Sequence, residues 1–337
     1  CQFIPGPASS QVGLMIGHMK GGYLGALSAW AGFTIPSALF LAFAGLGIAT
    51  EVVPLSAGVL AGLKIAALSV VLLACWQMYK SLCKGALGHA LLMSALLILT
   101  STDSLVWPFI IILGAGVISA RLNTTPRSAL NAQLPPLISR QAGIIWIVLL
   151  SGLLTLMPLL IADTSFYTLM LMDSTLRAGS FVFGGGHVVL PLLQGEFVTT
   201  GLVDNATFTA GYGLTQAVPG PLFTFSAFLG AASTQSLMGA VIALVGIFIP
   251  AACLVFAAYP FWATLQNQPT LQRALVGINA SVVAILLSAV IDPIWPSTIS
   301  SGTDILLLGV VTLMLVSKRL PVWAIVILAG ALGWLWY

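Results

Sequence analysis

The chain has 337 residues, of which 59% are hydrophobic and 6% charged, and its formal net charge is +3. Soluble domains carry about 25% charged residues, so this composition excludes a soluble globular protein. The small net charge gives no indication of a nucleic-acid partner. The apolar runs are longer than barrel strands and do not alternate, which predicts an all-α, polytopic helical protein in a lipid bilayer.

About 20 apolar residues cross a bilayer, and by this rule the sequence predicts roughly 10–12 spans. Two of the segments, 3–19 and 214–232, are broken by prolines, and 165–194 is of mixed polarity. The segments in chain order are 3–19, 22–48, 55–79, 86–101, 104–120, 143–162, 165–194, 214–232, 235–259, 272–291, 303–317 and 320–337.

A polar, proline-containing stretch at 121–141 divides the chain. We interpret 1–120 as a first half, 121–141 as a cytoplasmic linker and 142–337 as a second half. The four cysteines are scattered without metal spacing, so neither a disulfide framework nor a metal site is expected. Because the first residue is Cys1, we interpret the chain as a fragment whose beginning is missing.

The two halves repeat one another with a constant offset of 214 positions. The residues that recur unchanged are Gln2, Pro5, Gly6, Pro7, Gly25, Ala26, Ala29, Gly32, Ile35, Pro36 and Ala38, which become Gln216, Pro219, Gly220, Pro221, Gly239, Ala240, Ala243, Gly246, Ile249, Pro250 and Ala252. A duplicated apolar segment that is interrupted at the same place indicates the binding site of a transporter.

Basic residues in the loops predict that the halves have opposite orientations. Lys80, Lys84, Arg121, Arg127 and Arg140 flank the hairpin 86–120, which places its ends in the cytoplasm. In the second half the basic pair at 318–319 lies in the middle of the hairpin 303–337. We therefore expect an inverted-topology repeat. The alternative is a parallel repeat with a weak charge bias.

Each half carries a Pro-Gly-Pro that no continuous helix tolerates, since proline lacks an N–H donor and collides with the preceding turn. A helix that begins after such a break directs its positive end toward it, which suits an anion. The alternative is a structural kink. The predicted substrate-binding residues at the two breaks are Gln2, Pro5, Gly6, Pro7, Ser9, Ser10 and Gln11, and Gln216, Pro219, Gly220 and Pro221.

A glycine run in the second half, Gly184, Gly185 and Gly186, allows the backbone to approach a ligand closely. His187 follows it, and a histidine side chain ordinarily titrates near neutral pH, while Glu196 can carry a proton, so both are predicted proton-coupling residues. Arg177 and Lys64 lie in apolar surroundings and are predicted to bind the anion. The alternatives are a hydrogen-bonded structural histidine beside a glycine hinge, and cations that reach the membrane interface.

The sequence resembles the bacterial chromate transporter family over its whole length. The resemblance rests on Cys1-Gln2-Phe3-Ile4-Pro5-Gly6-Pro7-Ala8-Ser9-Ser10-Gln11, on Phe183-Gly184-Gly185-Gly186-His187-Val188-Val189-Leu190-Pro191, and on Thr215-Gln216-Ala217-Val218-Pro219-Gly220-Pro221. In the family, a counterpart of the Phe-Gly-Gly-His region precedes the first of these motifs, which would place it before Cys1.

The resemblance implies a multi-pass inner-membrane protein of two homologous halves that exports chromate, coupled to protons, with sulfate as the natural competitor. We expect no cofactor and no enzymatic activity, and a homodimer is compatible with the sequence. The alternatives are a transporter of sulfate or another dianion, a passive anion channel and an intramembrane hydrolase using Ser9 or Ser10. Against the hydrolase, the sequence contains no GxSxG motif of the kind that forms a nucleophile elbow.

Overall fold

A computed structural model describes residues 4–50, 56–102, 107–122, 137–162, 167–183 and 186–336. These residues form helices and short connections, without a β-strand among them, which confirms the predicted all-α class. The α-helices are α1 (Ala8–Ala49), α2 (Ala57–Leu82), α3 (Gly85–Thr100), α4 (Trp107–Leu122), α5 (Arg140–Ala162), α6 (Tyr167–Ser180), α7 (Val189–Phe197), α8 (Asn205–Ala217), α9 (Phe225–Thr234), α10 (Leu237–Ala258), α11 (Trp262–Gln266), α12 (Pro269–Ala289), α13 (Trp295–Thr298), α14 (Gly302–Ser317) and α15 (Val322–Trp336).

Five helical segments in the described ranges are long and apolar enough to cross a membrane: Ala8–Ala49, Ala57–Leu82, Arg140–Ile161, Leu237–Gln266 and Pro269–Thr298. Five further apolar helices have only 10–17 residues. A 16-residue helix is about 24 Å long, shorter than the ~30 Å hydrocarbon core. The polytopic helical membrane class is therefore confirmed, and half of these apolar helices are shorter than full spans.

Helix starts are fixed by short polar side chains. Ser56 accepts a hydrogen bond from the Val59 amide at the start of α2, and Ser236 accepts one from Met238 at the start of α10. Asp204 caps α8 in the same way. These oxygens satisfy amides that have no partner within the helix.

The helix α1 is a hairpin of two limbs. Gly21 (φ −152°, ψ 27°) and Gly22 (φ 60°, ψ −151°) leave the helical region. Residues 17 and 25 of a continuous helix would be about 12 Å apart, but a β-carbon at Gly17 would collide with the Gly25 carbonyl. Limb 8–20 therefore folds back on limb 23–49, in agreement with the separate segments predicted from the sequence.

The second half repeats this hairpin with α9 and α10. The turn lies at Gln235, 214 positions after Gly21, and Gln235 has a left-handed backbone (φ 51°). A β-carbon at Gly230 would collide with the Gly239 carbonyl, as in the first hairpin. The repeat is therefore structural as well as sequential.

The equivalent long helices of the two halves cross antiparallel. The ring centroids of Tyr23 and Phe256 are 5.3 Å apart, and those of Trp30 and Phe248 are 5.6 Å apart. Further along, Ala42 lines one groove together with Leu237 at the start of α10. Successive contacts along limb 23–49 are therefore made by residues of α10 with decreasing numbers, so the two helices run in opposite directions. Both helices are long enough to cross a membrane, so the two-fold axis relating the halves lies in the membrane plane, as predicted for an inverted repeat.

The halves also exchange their C-terminal hairpins. Gly62 of α2 lies against Ala329 of α15, and Gly277 of α12 lies against Ala115 of α4. Ala329 is 214 positions after Ala115 and Gly277 is 215 positions after Gly62, so the two contacts are related by the repeat with a shift of one residue in α12. The main hydrophobic core, which includes the fully buried Leu68, follows α2 and α12 and is closed by these hairpins.

Candidate functional site

The first break lies at the start of the described residues and is held by two hydrogen bonds to backbone carbonyls. Gly6 has φ +120°, a conformation that favours glycine. Its amide donates to the Val182 carbonyl at 2.7 Å, and Gln11 Nε2 donates to the Pro5 carbonyl at 2.7 Å. Helix α1 starts two residues later with Pro7 as its N-cap, and no side chain in the described ranges caps it.

The second break has the same construction. Gly220 has φ +158°, and the Thr224 amide and hydroxyl donate to the Pro221 carbonyl at 3.0 and 2.8 Å. A short 3₁₀ turn, Leu222–Thr224, leads into α9, and no described side chain caps that helix. Both breaks are therefore followed by a helix start whose first amides lack a side-chain acceptor.

Each break packs on the proline-containing helix of the other half. A β-carbon at Gly6 would lie 3.0 Å from Ala251 Cβ, and one at Gly220 would collide with Ser37. Gly220 and Ala251 are 214 positions after Gly6 and Ser37, so these contacts form a reciprocal, two-fold pair. Pro36 and Pro250, one residue before these partners, lie inside helices and leave the carbonyls four residues earlier without a helical donor.

The glycine-rich segment connects the two breaks. Val182 accepts the hydrogen bond from Gly6, and a β-carbon at Gly186 would lie 3.2 Å from the Leu222 side chain. Gly186 is four positions after Val182 in the chain. The Cα atoms of these two residues are therefore at most about 14 Å apart. The two breaks are therefore neighbours within the fold.

Of the ten buried side-chain atoms without a hydrogen-bond partner in the described ranges, five lie on the break segments or on limb 23–49, which packs against Gly220. Among the described residues these atoms include Ser10 Oγ, Gln11 Oε1, Trp30 Nε1, Thr34 Oγ1 and Gln216 Nε2. Thr34 is fully buried and lies one turn before Ser37, on the helix face that meets Gly220. Four of the five atoms are hydrogen-bond donors. Because buried donors without acceptors are costly, their concentration here indicates a place for an acceptor-rich ligand.

The predicted cation Arg177 is already paired. Its Nη1 lies 2.5 Å from Asp173 Oδ2, and its Nε and Nη2 donate to the two carboxylate oxygens of Glu196 at 3.2 and 2.8 Å. The fork links α6 to α7 and follows the bidentate geometry that arginine prefers. With both carboxylates ionised the cluster carries a net charge of −1, so Arg177 does not offer a free positive charge in this state.

His187 is hydrogen-bonded through Nδ1 to the hydroxyl of Tyr212 at 2.8 Å. Tyr212 is almost fully buried in α8, and its ring packs against Phe225 with a centroid distance of 5.7 Å. The histidine is thus linked to the helix that immediately precedes the second break. This geometry fits the alternative of a hydrogen-bonded structural histidine.

The other predicted residues fall into three groups. Ser9 is exposed, and Lys64 is half-buried on α2, where it makes no hydrogen bond or ion pair with the part of the chain that the structure describes. Gln2, Gly184 and Gly185 lie outside the described residues. Three residues that the structure places at these contacts were not predicted from the sequence: Asp173, Thr34 and Ser37. The pairing of Asp173 with Arg177 could have been predicted, because the two residues are four positions apart in a helix.

No cluster of three or more His, Cys, Asp or Glu side chains that could hold a metal occurs within the described ranges. Cys75, Cys83 and Cys253 are buried free thiols. The groups that the described residues bring to the breaks and to α6 and α7 are hydrogen-bond donors, helix starts and one ion cluster with two carboxylates and one guanidinium.

These features define a polytopic membrane protein of the transporter class, with discontinuous helices from two inverted halves meeting at one site. A profile of the chromate transporter family matches residues 1–120 and 169–334. The chain belongs to the chromate transporter family.

Several relatives match almost the whole chain. The chromate transport protein of Pseudomonas aeruginosa is 25% identical over 99% of this chain and 80% of its own length. The chromate transport protein of Cupriavidus metallidurans is 25% identical over 98% of this chain and 80% of its own length. An uncharacterised transporter of Methanocaldococcus jannaschii is 24% identical over 99% and 82%. No solved structure matches the chain significantly.

Proposed function

We propose that this protein is a secondary active transporter that exports chromate, a tetrahedral dianion, across the inner membrane with proton coupling. The observation that carries the proposal is the meeting of two helix breaks, with their uncapped helix starts and unpartnered buried donors, beside one glycine-rich segment. The names of the relatives from Pseudomonas aeruginosa and Cupriavidus metallidurans support chromate as the substrate.

The anion is bound mainly by neutral groups. Helix starts and hydroxyl and amide donors concentrate partial positive charge without a full cation. Ser10, Thr34 and Gln216 supply such donors at the two breaks. A site of this kind releases a dianion more readily than one built on free cations, which suits a transporter that must unload on the far side.

The membrane potential supplies a driving force for export. An interior-negative potential favours outward movement of two negative charges by about 4.6 kcal/mol per 100 mV. If one proton accompanies each dianion, one net negative charge still moves outward and about 2.3 kcal/mol per 100 mV remains. His187 and Glu196 are the proposed proton carriers, and alternating access follows from rocking of the halves about their two-fold axis.

The test is the flux of labelled chromate and sulfate into inside-out vesicles that contain the protein. We expect chromate uptake that rises with an interior-positive potential in these vesicles, responds to a pH gradient and is inhibited by sulfate. The double variant Pro5→Ala with Pro219→Ala should lose the flux while remaining in the membrane. Equal flux in vesicles with and without the protein would overturn the proposal.

The same assay separates the alternatives. Sulfate flux that exceeds chromate flux at equal concentration assigns a sulfate-type dianion transporter. Flux that follows the potential without any proton dependence assigns a passive channel. Membership of a transporter family fits a protein that is not an enzyme, and labelling of Ser9 or Ser10 by a fluorophosphonate would instead support the hydrolase.

A further inference from the structure

Asp173 is a buried carboxylate that the transport mechanism above does not use. It is 3% exposed, and its Oδ2 contacts Arg177. Its second oxygen, Oδ1, is buried and has no hydrogen-bond partner among the described residues. An ionised carboxylate normally accepts several hydrogen bonds, so one oxygen of Asp173 is open to a proton.

The cluster lies at the level of the middle of α10. A β-carbon at Gly246 would collide with Thr175, and one at Gly179 would collide with the Ile247 carbonyl. Residues 246 and 247 are central in α10, which is long enough to cross a membrane. Charged side chains at this depth are costly and indicate function.

Few other ionisable groups face Asp173. Helix α6 itself contributes Arg177, and α7 contributes Glu196, with His187 in the turn before it. In α10 the only ionisable side chain is that of Cys253, and in α5 it is that of Arg140, at the first residue of the helix. The charge of the cluster is therefore set by the two carboxylates and one guanidinium.

The guanidinium is the accessible member of the cluster. The side chain of Arg177 is 38% exposed, whereas those of Asp173 and Glu196 are 4% and 10% exposed. Arg177 precedes Val182, the hydrogen-bond partner of the first break, by only five residues. The exposed side of Arg177 can thus contact an anion while the carboxylates hold the guanidinium from the buried side.

We propose that Asp173, together with Glu196, is a proton-controlled counterion that decides whether Arg177 can bind the transported dianion. When both carboxylates are ionised they retain the guanidinium. When a proton binds to Asp173, the excess negative charge is removed and Arg177 turns its donors to the anion. The inference rests on the proposed function and adds Asp173 to its machinery. By linkage, anion binding then promotes proton uptake, and acidification raises anion affinity.

The test uses sulfate binding to the purified, detergent-solubilised chain between about pH 5.5 and about pH 8, since sulfate remains a dianion over this range. For the wild type we expect affinity to rise on acidification by roughly 5- to 150-fold. Asp173→Asn should keep the sulfate affinity at every pH near the value that the wild type has at low pH, and so remove most of the pH dependence. Asp173→Glu should restore the pH dependence. Arg177→Lys keeps the charge but loses the fork, so binding should weaken at every pH.

Asp204→Asn is the matched control, because the Asp204 carboxylate accepts from the first amides of α8 rather than from Arg177, and asparagine caps equally well. A second measurement needs no variant: addition of sulfate to the wild type in weak buffer should consume protons. Unchanged pH dependence in Asp173→Asn, or sulfate binding without proton uptake, overturns the inference and leaves the proposed function standing. Failure of the wild type to bind either sulfate or chromate at any pH overturns both.

Discussion

At the scale of single residues, the break glycines hold conformations that other residues rarely adopt. A β-carbon at Gly220 would meet the Ser37 side chain, and the φ of +158° adds backbone strain. We expect Gly220→Ala to reduce chromate flux strongly and to cost about 1–3 kcal/mol of stability. Flux in vesicles, normalised to the amount of folded protein, measures the first effect.

The control for this prediction is Gly309→Ala in α14. No atom lies within 4 Å of a β-carbon at Gly309, and alanine in a helix interior is favoured over glycine by up to about 1 kcal/mol. This variant should retain flux. Wild-type flux in Gly220→Ala would show that the second break does not form part of the site.

Thr34 provides a prediction that separates binding from stability. Its hydroxyl is buried and without a partner, so Thr34→Val should leave stability unchanged or raise it. If the hydroxyl donates to the anion, chromate affinity should fall about tenfold or more, as expected for a hydrogen bond to a charged group. Thr209→Val, which removes a hydroxyl already bonded to the Asn205 carbonyl, is the matched control. Equal affinities in the two variants would contradict the role of Thr34.

Sequence reasoning located the break residues because the repeat marked them twice. Pro5 and Pro219 recur at a fixed offset, and the structure brings both breaks to one segment. The role of Arg177 could not be judged in the same way. Its pairing with Asp173 follows from helical spacing, but the bidentate contact with Glu196 depends on how α7 packs on α6, which no local pattern specifies.

At the scale of helices, the antiparallel crossing of limb 23–49 and α10 can be tested by crosslinking. In a background without native cysteines, Tyr23→Cys with Phe256→Cys should crosslink efficiently through a short bis-methanethiosulfonate reagent, which forms a disulfide with each thiol. Tyr23→Cys with Met238→Cys should not, because Met238 lies near the opposite end of α10. The reverse pattern would show a parallel arrangement of the halves.

The helix boundaries were largely predictable, since apolar runs and capping residues are local features. Segment 104–120 became α4 at Trp107–Leu122, and 303–317 became α14 at Gly302–Ser317. The folding back of α1 was predictable from its two glycines and weak first segment. The exchange of hairpins between the halves was not, because contacts such as Gly62 with Ala329 join positions more than 260 residues apart.

At the scale of the whole molecule, inversion of the halves places Lys84 and Lys318 on the same side of the membrane. We expect Lys84→Cys and Lys318→Cys to react with an impermeant maleimide from the cytoplasmic side, and Ser301→Cys to react from the opposite side, in a background without native cysteines. Lys84 immediately precedes α3, Lys318 immediately follows α14, and Ser301 immediately precedes α14. Labelling of Lys84→Cys and Lys318→Cys from opposite sides would contradict the inverted topology.

The central claim is that the two Pro-Gly-Pro breaks enclose one binding site for a tetrahedral dianion. The most direct test is the position of chromium in chromate-soaked crystals of the protein, determined from its anomalous scattering. We predict one peak between Gly6 and Gly220, within hydrogen-bonding reach of the helix start at Ala8 and of the 3₁₀ turn that starts at Leu222, which disappears when sulfate is in excess. A sulfate-sensitive peak elsewhere in the molecule, or no peak at saturating chromate, would contradict the account.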